Sequence, residues 1–170
     1  MRLSSQAELG LRCLLRVATR AGTDGCLAIT DISEAEGLST FYVGKLMRLL
    51  RQAGFVKSTR GQEGGYRLAR PANEITVAEV LAALDGRLFD EDFCDRHAGI
   101  DLVCANKIDC SIRTLWRTVQ FIVDGFLNKV TLRDLEEHDE QEMASLVSKL
   151  VNIQDVQRAR QLDRELRIQP

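Results

Sequence analysis

Cys94, Cys104 and Cys110 fall within 17 positions of one another, nine residues separating the first two and five the last two. These spacings match neither the paired C-x-x-C of common zinc sites nor the C-x-x-C of thioredoxin-like redox centres. Three thiolates with a fourth ligand of another kind suit an iron-sulfur cluster, and equally zinc or a thiol redox switch; loop thiols without a ligand are a further reading. His97, three positions after Cys94, is a loop histidine within reach of the same set, whereas His138 sits in an acidic run and reads as solvated. Cys13 and Cys26 stand apart, and Cys13, inside an apolar helical pattern, reads as a small buried hydrophobe. Five thiols is an odd number, so no complete disulfide framework forms within one chain, and the expectation is reduced cysteines. A cysteine-nucleophile redox enzyme would need a histidine and an acid at a recognisable spacing, which the chain lacks. The expectation is a non-enzyme without a small-molecule substrate.

Charge is distributed unevenly behind a net value of -2. From Ser39 to Arg70 there are seven lysines and arginines against Glu63 alone, while residues 91–170 carry eleven bases and fifteen acids. One local stretch is built to meet an anion. The chain opens without a basic segment followed by an apolar block, and no apolar run approaches the roughly 20 residues of a membrane span, so a cytoplasmic protein without membrane contact is expected.

The elements that present this stretch follow from caps and periodicity. Ser4 or Ser5 starts a helix with Ala7, Leu11, Leu14, Leu15 and Ala18 on one face, stopped by Gly22. Thr30 or Asp31 starts a short helix that Gly37 ends, and Ser39 caps a longer one to Ala53 with Gly54 as terminator. Leu46, Leu49 and Leu50 should point inward, with Lys45, Arg48 and Gln52 outside. Two β-type runs around Gly61, Gly64 and Gly65 then make a hairpin closed by Pro71. Helix-turn-helix followed by a basic hairpin is the winged-helix order, with the second helix of the pair in a DNA groove. Candidate DNA contacts are Ser39, Thr40, Tyr42, Lys45 and Arg48 from the helix, and Arg60, Gly61, Gly64, Gly65 and Tyr66 from the wing.

Thr76 and Glu79 form a capping box with Ile75 as staple, opening a helix that ends at Gly86. Beyond it, Ile112, Trp116, Val119, Val123, Phe126 and Val130 step by four and three, widened by Leu115 and Ile122. Such a stripe needs a partner helix, and a homodimer is expected. A short helix from Thr131 and another carrying Met143, Leu146, Val147 and Leu150 follow, before a charged tail expected to fray or be disordered. The fold class is mainly α with a small β-hairpin: a winged helix-turn-helix domain at 1–86, a cysteine-rich cluster-binding loop at 87–110, a dimerisation helix and C-terminal helices at 111–150, and the tail at 151–170.

Met1-Arg2-Leu3-Ser4, Gly37-Leu38-Ser39 with Tyr42, Ser58-Thr59-Arg60-Gly61 with Gly64-Gly65-Tyr66-Arg67-Leu68, and Cys110 with Leu115-Trp116 resemble the winged-helix iron-sulfur transcription regulators of the IscR, NsrR and RirA type. The resemblance covers roughly residues 1–136. It implies a homodimer on a double-stranded DNA operator and a long dimerisation helix. It also implies an iron-sulfur cluster, 2Fe-2S or 4Fe-4S, on Cys94, Cys104 and Cys110, which would sense iron, redox or nitric oxide status. Where IscR-like members carry a glutamate in the recognition helix this chain has Gly44, and where they place a histidine ligand it has Arg113. By similarity to NsrR-type proteins the fourth ligand is Glu8, with His97 as the competing candidate. Without a cluster, the alternative is a zinc-bound or thiol-switch regulator.

Overall fold

The computed structural model describes residues 4–61, 64–86, 89, 93 and 110–137. The expectations for Cys94, His97, Cys104, the helix around Met143 to Leu150 and the tail lie outside the described residues. These residues group into two compact units, one of 4–86 with 127–137 and one of Phe89, Phe93 and 110–126.

In the first unit, α1 (Ser5–Arg20) begins where the Ser4 hydroxyl accepts the Ala7 amide at 3.1 Å, and Gly22 follows its end at φ 58°. Its buried face is Ala7, Gly10, Cys13, Leu14, Val17 and Ala18, whereas the expected Leu11 and Leu15 are half-buried. The face is rotated because small residues, not leucines, line the closest approach. A Cβ on Gly10 would lie 2.6 Å from Leu84 Cδ1 of the helix packed across it. Burial also pushes the Cys13 thiol up to about 11, with the neighbouring Glu36 adding to the effect, so this cysteine is an inert core side chain.

Helix α2 (Ile29–Glu36) starts earlier than Thr30 or Asp31, after Ala28 and without a side-chain cap. The reason lies in Leu27, whose amide and carbonyl pair with those of Tyr66 at 2.9 and 2.8 Å and hold the chain extended up to Ala28. Gly37 stops the helix at φ 65°, a left-handed conformation that favours glycine. Glu36, at the end of α2, has a side chain only 4% exposed that accepts Arg12 Nε at 2.9 Å and Arg16 Nη2 at 2.8 Å, tying α2 to α1. After the turn, α3 (Thr40–Gln52) is capped by Ser39, whose hydroxyl accepts the Tyr42 amide at 3.2 Å. Val43, Leu46, Met47 and Leu50 are fully buried; Leu49, expected inside, is only half-buried, and Met47 takes the inner position one turn after Val43.

Strands β1 (Val56–Thr59) and β2 (Gly65–Leu68) pair antiparallel, with Val56 opposite Leu68 and Thr59 opposite Gly65. Leu27 joins the other edge of β2 as a one-residue third strand. Gly65 has no side chain because there is no space for one: its Cβ would lie 2.4 Å from the Leu27 carbonyl oxygen. At Gly64 a Cβ would lie 2.5 Å from the Thr59 oxygen, and Gly61 turns at φ 121°. The three glycines therefore shape the wing.

A 3-10 turn (Ala72–Glu74) leads to buried Ile75 and α4 (Val77–Asp85), which begins with the complete Thr76–Glu79 capping box. The Thr76 amide, helped by Arg70, holds the Glu79 carboxyl below its ordinary range. Residues 127–137 add to the same core: the Val130 carbonyl accepts the Val77 amide at 2.8 Å, the Leu132 amide donates to Ile75, and Leu132 is fully buried at the start of the last described helix. Val130 is thus not part of the long helical stripe; it lies beyond the helix end and is buried in the winged unit. In the second unit α5 (Ser111–Leu127) is one continuous helix, whose Gln120 accepts the Phe89 amide at 2.9 Å, and α6 (Leu132–Glu137) follows it in the chain.

Glu36→Ala should lower stability to chemical denaturant by about 2 kcal/mol, below the 3–5 of a fully enclosed ion pair because both arginines regain water. An unchanged midpoint would contradict the proposed tie between α1 and α2. Gly65→Ala should lower the thermal midpoint and loosen the wing, seen as faster exchange of the Leu27 and Tyr66 amides, because the new methyl must push the Leu27 backbone away. Wild-type exchange at both amides would disprove that close approach.

Candidate nucleic-acid interface

With its apolar side packed inward, α3 presents the opposite side to solvent. Phe41, Lys45, Arg48 and Gln52, spaced at four, three and four residues, are all exposed and lie on one face. Thr40 is exposed in the first turn, Tyr42 is half-buried against the core, and the Ser39 hydroxyl is engaged in the cap. Gly44 is half-buried on the side towards α2, where a Cβ would meet Ile29 Cδ1 at 3.3 Å.

The fold itself takes up three of the seven bases between Ser39 and Arg70. Arg51 donates to the Ser58 hydroxyl at 3.3 Å, and Arg67 donates to the Thr23 carbonyl at 2.7 Å. Arg70 pairs with Glu79 at 3.1 Å and covers the Phe55 ring at 5.7 Å. Lys45, Arg48, Lys57 and Arg60 are left exposed. Arg60 stands at the end of β1 beside Gly61, and Tyr66 is half-buried in β2. The cationic surface is therefore two-part, one from α3 and one from the wing, both carried by a single packed unit. Phe41 and Lys57 were absent from the expected contact set. Phe41 was legible in principle, since it lies one helical turn before Lys45 and out of phase with Val43, Leu46 and Leu50.

Of the expected ligand set, Glu8 and Cys110 are among the described residues. Glu8 is exposed in the first turn of α1. Cys110 is half-buried immediately before α5; its carbonyl accepts the Thr114 amide at 3.1 Å and its Sγ accepts the Arg113 amide at 3.4 Å. The sulfur occupies the capping position of the helix, meeting one of the amides that the first turn leaves without an intrahelical partner. The guanidinium of Arg113 is a donor-only group and offers no lone pair to a metal. Cys26 is exposed beside the wing, its thiol donating at 3.6 Å to the hydroxyl of Thr59 at the turn end of β1. Among the described residues no helix is long and apolar enough to cross a membrane.

The arrangement has clear relatives. The Rrf2 family profile, an iron-dependent transcriptional regulator, matches residues 3–138. The HTH-type transcriptional regulator IscR of Photobacterium profundum is 40% identical over 135 residues, covering 79% of this chain and 75% of that protein. Its counterpart in Klebsiella pneumoniae is 36% identical over 140 residues and 82% of each chain. Among solved structures, CymR (YrzC), the global cysteine regulator of B. subtilis, superimposes with a TM-score of 0.66 at 26% identity, over 82% of this chain and 99% of that one. T. potens IscR gives a TM-score of 0.63 at 26% identity, over 85% and 96%. With a winged helix-turn-helix, an exposed cationic α3 face and these matches along most of its length, the chain belongs to the Rrf2 family of DNA-binding, iron-dependent transcriptional regulators.

Proposed function

We propose that the protein is a cytoplasmic homodimer that binds a double-stranded operator and reports iron, redox or nitric oxide status through an iron-sulfur cluster held by Cys94, Cys104 and Cys110, with Glu8 as the fourth ligand. The observation that carries the DNA half of this reading is the exposed α3 face of Phe41, Lys45, Arg48 and Gln52 beside a cationic wing, in one packed unit. Thr40, Lys45 and Arg48 meet the major groove, while Arg60 follows the backbone into the neighbouring groove. Ser39 and Tyr42 set the start and tilt of the helix; Gly61, Gly64, Gly65 and Tyr66 set the wing's approach. Along the chain run the winged unit, the cysteine segment, the dimerisation helix and the tail, with residues 127–137 contributing to the core of the winged unit.

The donor chemistry fits the cofactor. Three thiolates and a non-thiol ligand are a cluster set, and the Cys110 sulfur stands at the head of α5, where it accepts the Arg113 amide. An iron-sulfur cluster held there supplies electron-transfer and ligand-exchange chemistry. Glu8 lies on α1, the helix packed most extensively against α3, so ligation by its carboxylate would connect the cysteine segment to the DNA-reading unit. His97 is the alternative donor.

Dimerisation is assigned to α5, where Ile112 and Leu115 are 62% and 56% exposed and Trp116 and Ile122 lie on the same open side. Covering that apolar face with a second copy removes it from water and brings two α3 helices to two half-sites about one helical turn apart.

The protein purified anaerobically should be coloured, with bound iron and acid-labile sulfide. Cys94→Ala, Cys104→Ala and Cys110→Ala should each abolish the visible spectrum, and Glu8→Ala should shorten its lifetime while His97→Ala leaves it intact. A colourless, zinc-loaded protein would overturn the cluster, and sensitivity to His97 in place of Glu8 would overturn the ligand choice. Lys45→Ala and Arg60→Ala should each reduce the slope of log affinity against log salt by about one unit with unchanged circular dichroism; wild-type slopes in both would displace the DNA surface. Leu115→Asp should sediment as a monomer with weakened operator binding, because the new charge would be buried unpaired at the subunit contact. An intact dimer would remove α5 from that role.

A further inference from the structure

Phe41 is 86% exposed, the largest value among the exposed large apolar side chains of the described residues. The ring cannot turn into the core, because Val43, Leu46, Met47 and Leu50 fill the opposite side of α3. It stands at the N-terminal end of a polar, cationic face that continues with exposed Lys45, Arg48 and Gln52. Gly44, three residues on, carries no side chain, and one there would press on Ile29 of α2. The flank of the ring is therefore open, and no bulkier neighbour on that side screens it from a ligand approaching the first turn.

A phenylalanine offers neither a donor nor an acceptor. In the major groove it would leave the polar edges of guanine, cytosine and adenine desolvated without partners, an unfavourable match. Thymine alone presents an apolar group there, its C5-methyl, which makes favourable contact with such a ring. Insertion of an apolar wedge between base steps belongs to minor-groove binders, whereas the first turn of a recognition helix reaches base edges in the major groove. Lys45 and Arg48 supply the charge complementarity that brings this face onto the duplex.

We propose that Phe41 is a specificity-determining residue that selects thymine in each half-site through contact with the C5-methyl group. This rests on the reading of α3 as the DNA-reading helix. Sequence preference at that base pair is then set by an apolar contact, and the neighbouring cations add affinity without choosing the base.

The test uses the full chain, purified anaerobically, with and without removal of its iron. Operators are selected from a library of randomised duplexes with the wild type and with Phe41→Ala, a change at an exposed site that leaves the core untouched. Each thymine of the selected duplex is then replaced singly by deoxyuridine, which deletes only the methyl. The wild type should lose about fourfold in affinity at one thymine per half-site, the effect of uncovering one methyl. Phe41→Ala should lose nothing at that position and should accept any base there, and Phe41→Leu should retain part of the penalty. Equal deoxyuridine penalties in wild type and Phe41→Ala, or none in either while the operator is still bound, would overturn the thymine contact and leave the DNA-reading helix standing. Failure of the wild type to select any sequence in either iron state would overturn the α3 reading and this inference with it.

Discussion

The burial of one side of α3 is the constraint on which the rest of the structure depends. Val43, Leu46, Met47 and Leu50 are fully enclosed, each contributing roughly 1.5–3 kcal/mol by removal from water, so the helix has one stable rotation about its axis. Helical periodicity then leaves no choice about what faces outward: Phe41, Lys45, Arg48 and Gln52. The exposed cationic face is thus a consequence of packing, and the side chains on it are available for the proposed DNA contact because none of them is needed by the core. Arg12, Arg16 and Glu36 add a second restraint, holding α2 on α1 and so fixing the helix against which α3 turns.

The wing is positioned by backbone approach. Leu27 pairs with Tyr66, and that pairing requires Gly65 to be bare, which places the hairpin firmly beside the helix-turn-helix. Charge follows the same economy of use. Arg51, Arg67 and Arg70 bond to Ser58, Thr23 and Glu79 and brace the hairpin and its flanks. Lys45, Arg48, Lys57 and Arg60 remain for an anion, so the cationic surface is smaller and more sharply divided than the raw count of bases suggests.

Local chemistry made most of the winged unit legible. Ser4, Ser39 and Thr76 cap as expected, Gly37 and Gly54 terminate in left-handed backbone, and the hairpin forms around its glycines. What escaped was decided by distant partners. The buried face of α1 follows the small residues Gly10 and Cys13 because Leu84 crosses there; the start of α2 follows the Leu27 bridge; Val130 leaves the helical stripe because its carbonyl is bonded to Val77. Phe41 lay outside the expected contact set, although the phase of the whole helix puts it on the outer face with Lys45 and Arg48. The cysteine set was harder still: its irregular spacing fits no standard metal motif, and the cluster reading depends on resemblance, together with a Cys110 sulfur set at the head of α5.

The central claim is that the outward face of α3 is the surface that meets DNA. Hydroxyl-radical footprinting of the protein by mass spectrometry, with and without a saturating amount of selected operator, measures it directly because an exposed phenylalanine ring is readily oxidised. Phe41 should be oxidised strongly in the free protein and be protected in the complex. Undiminished oxidation of Phe41 on a fully bound protein would contradict the account.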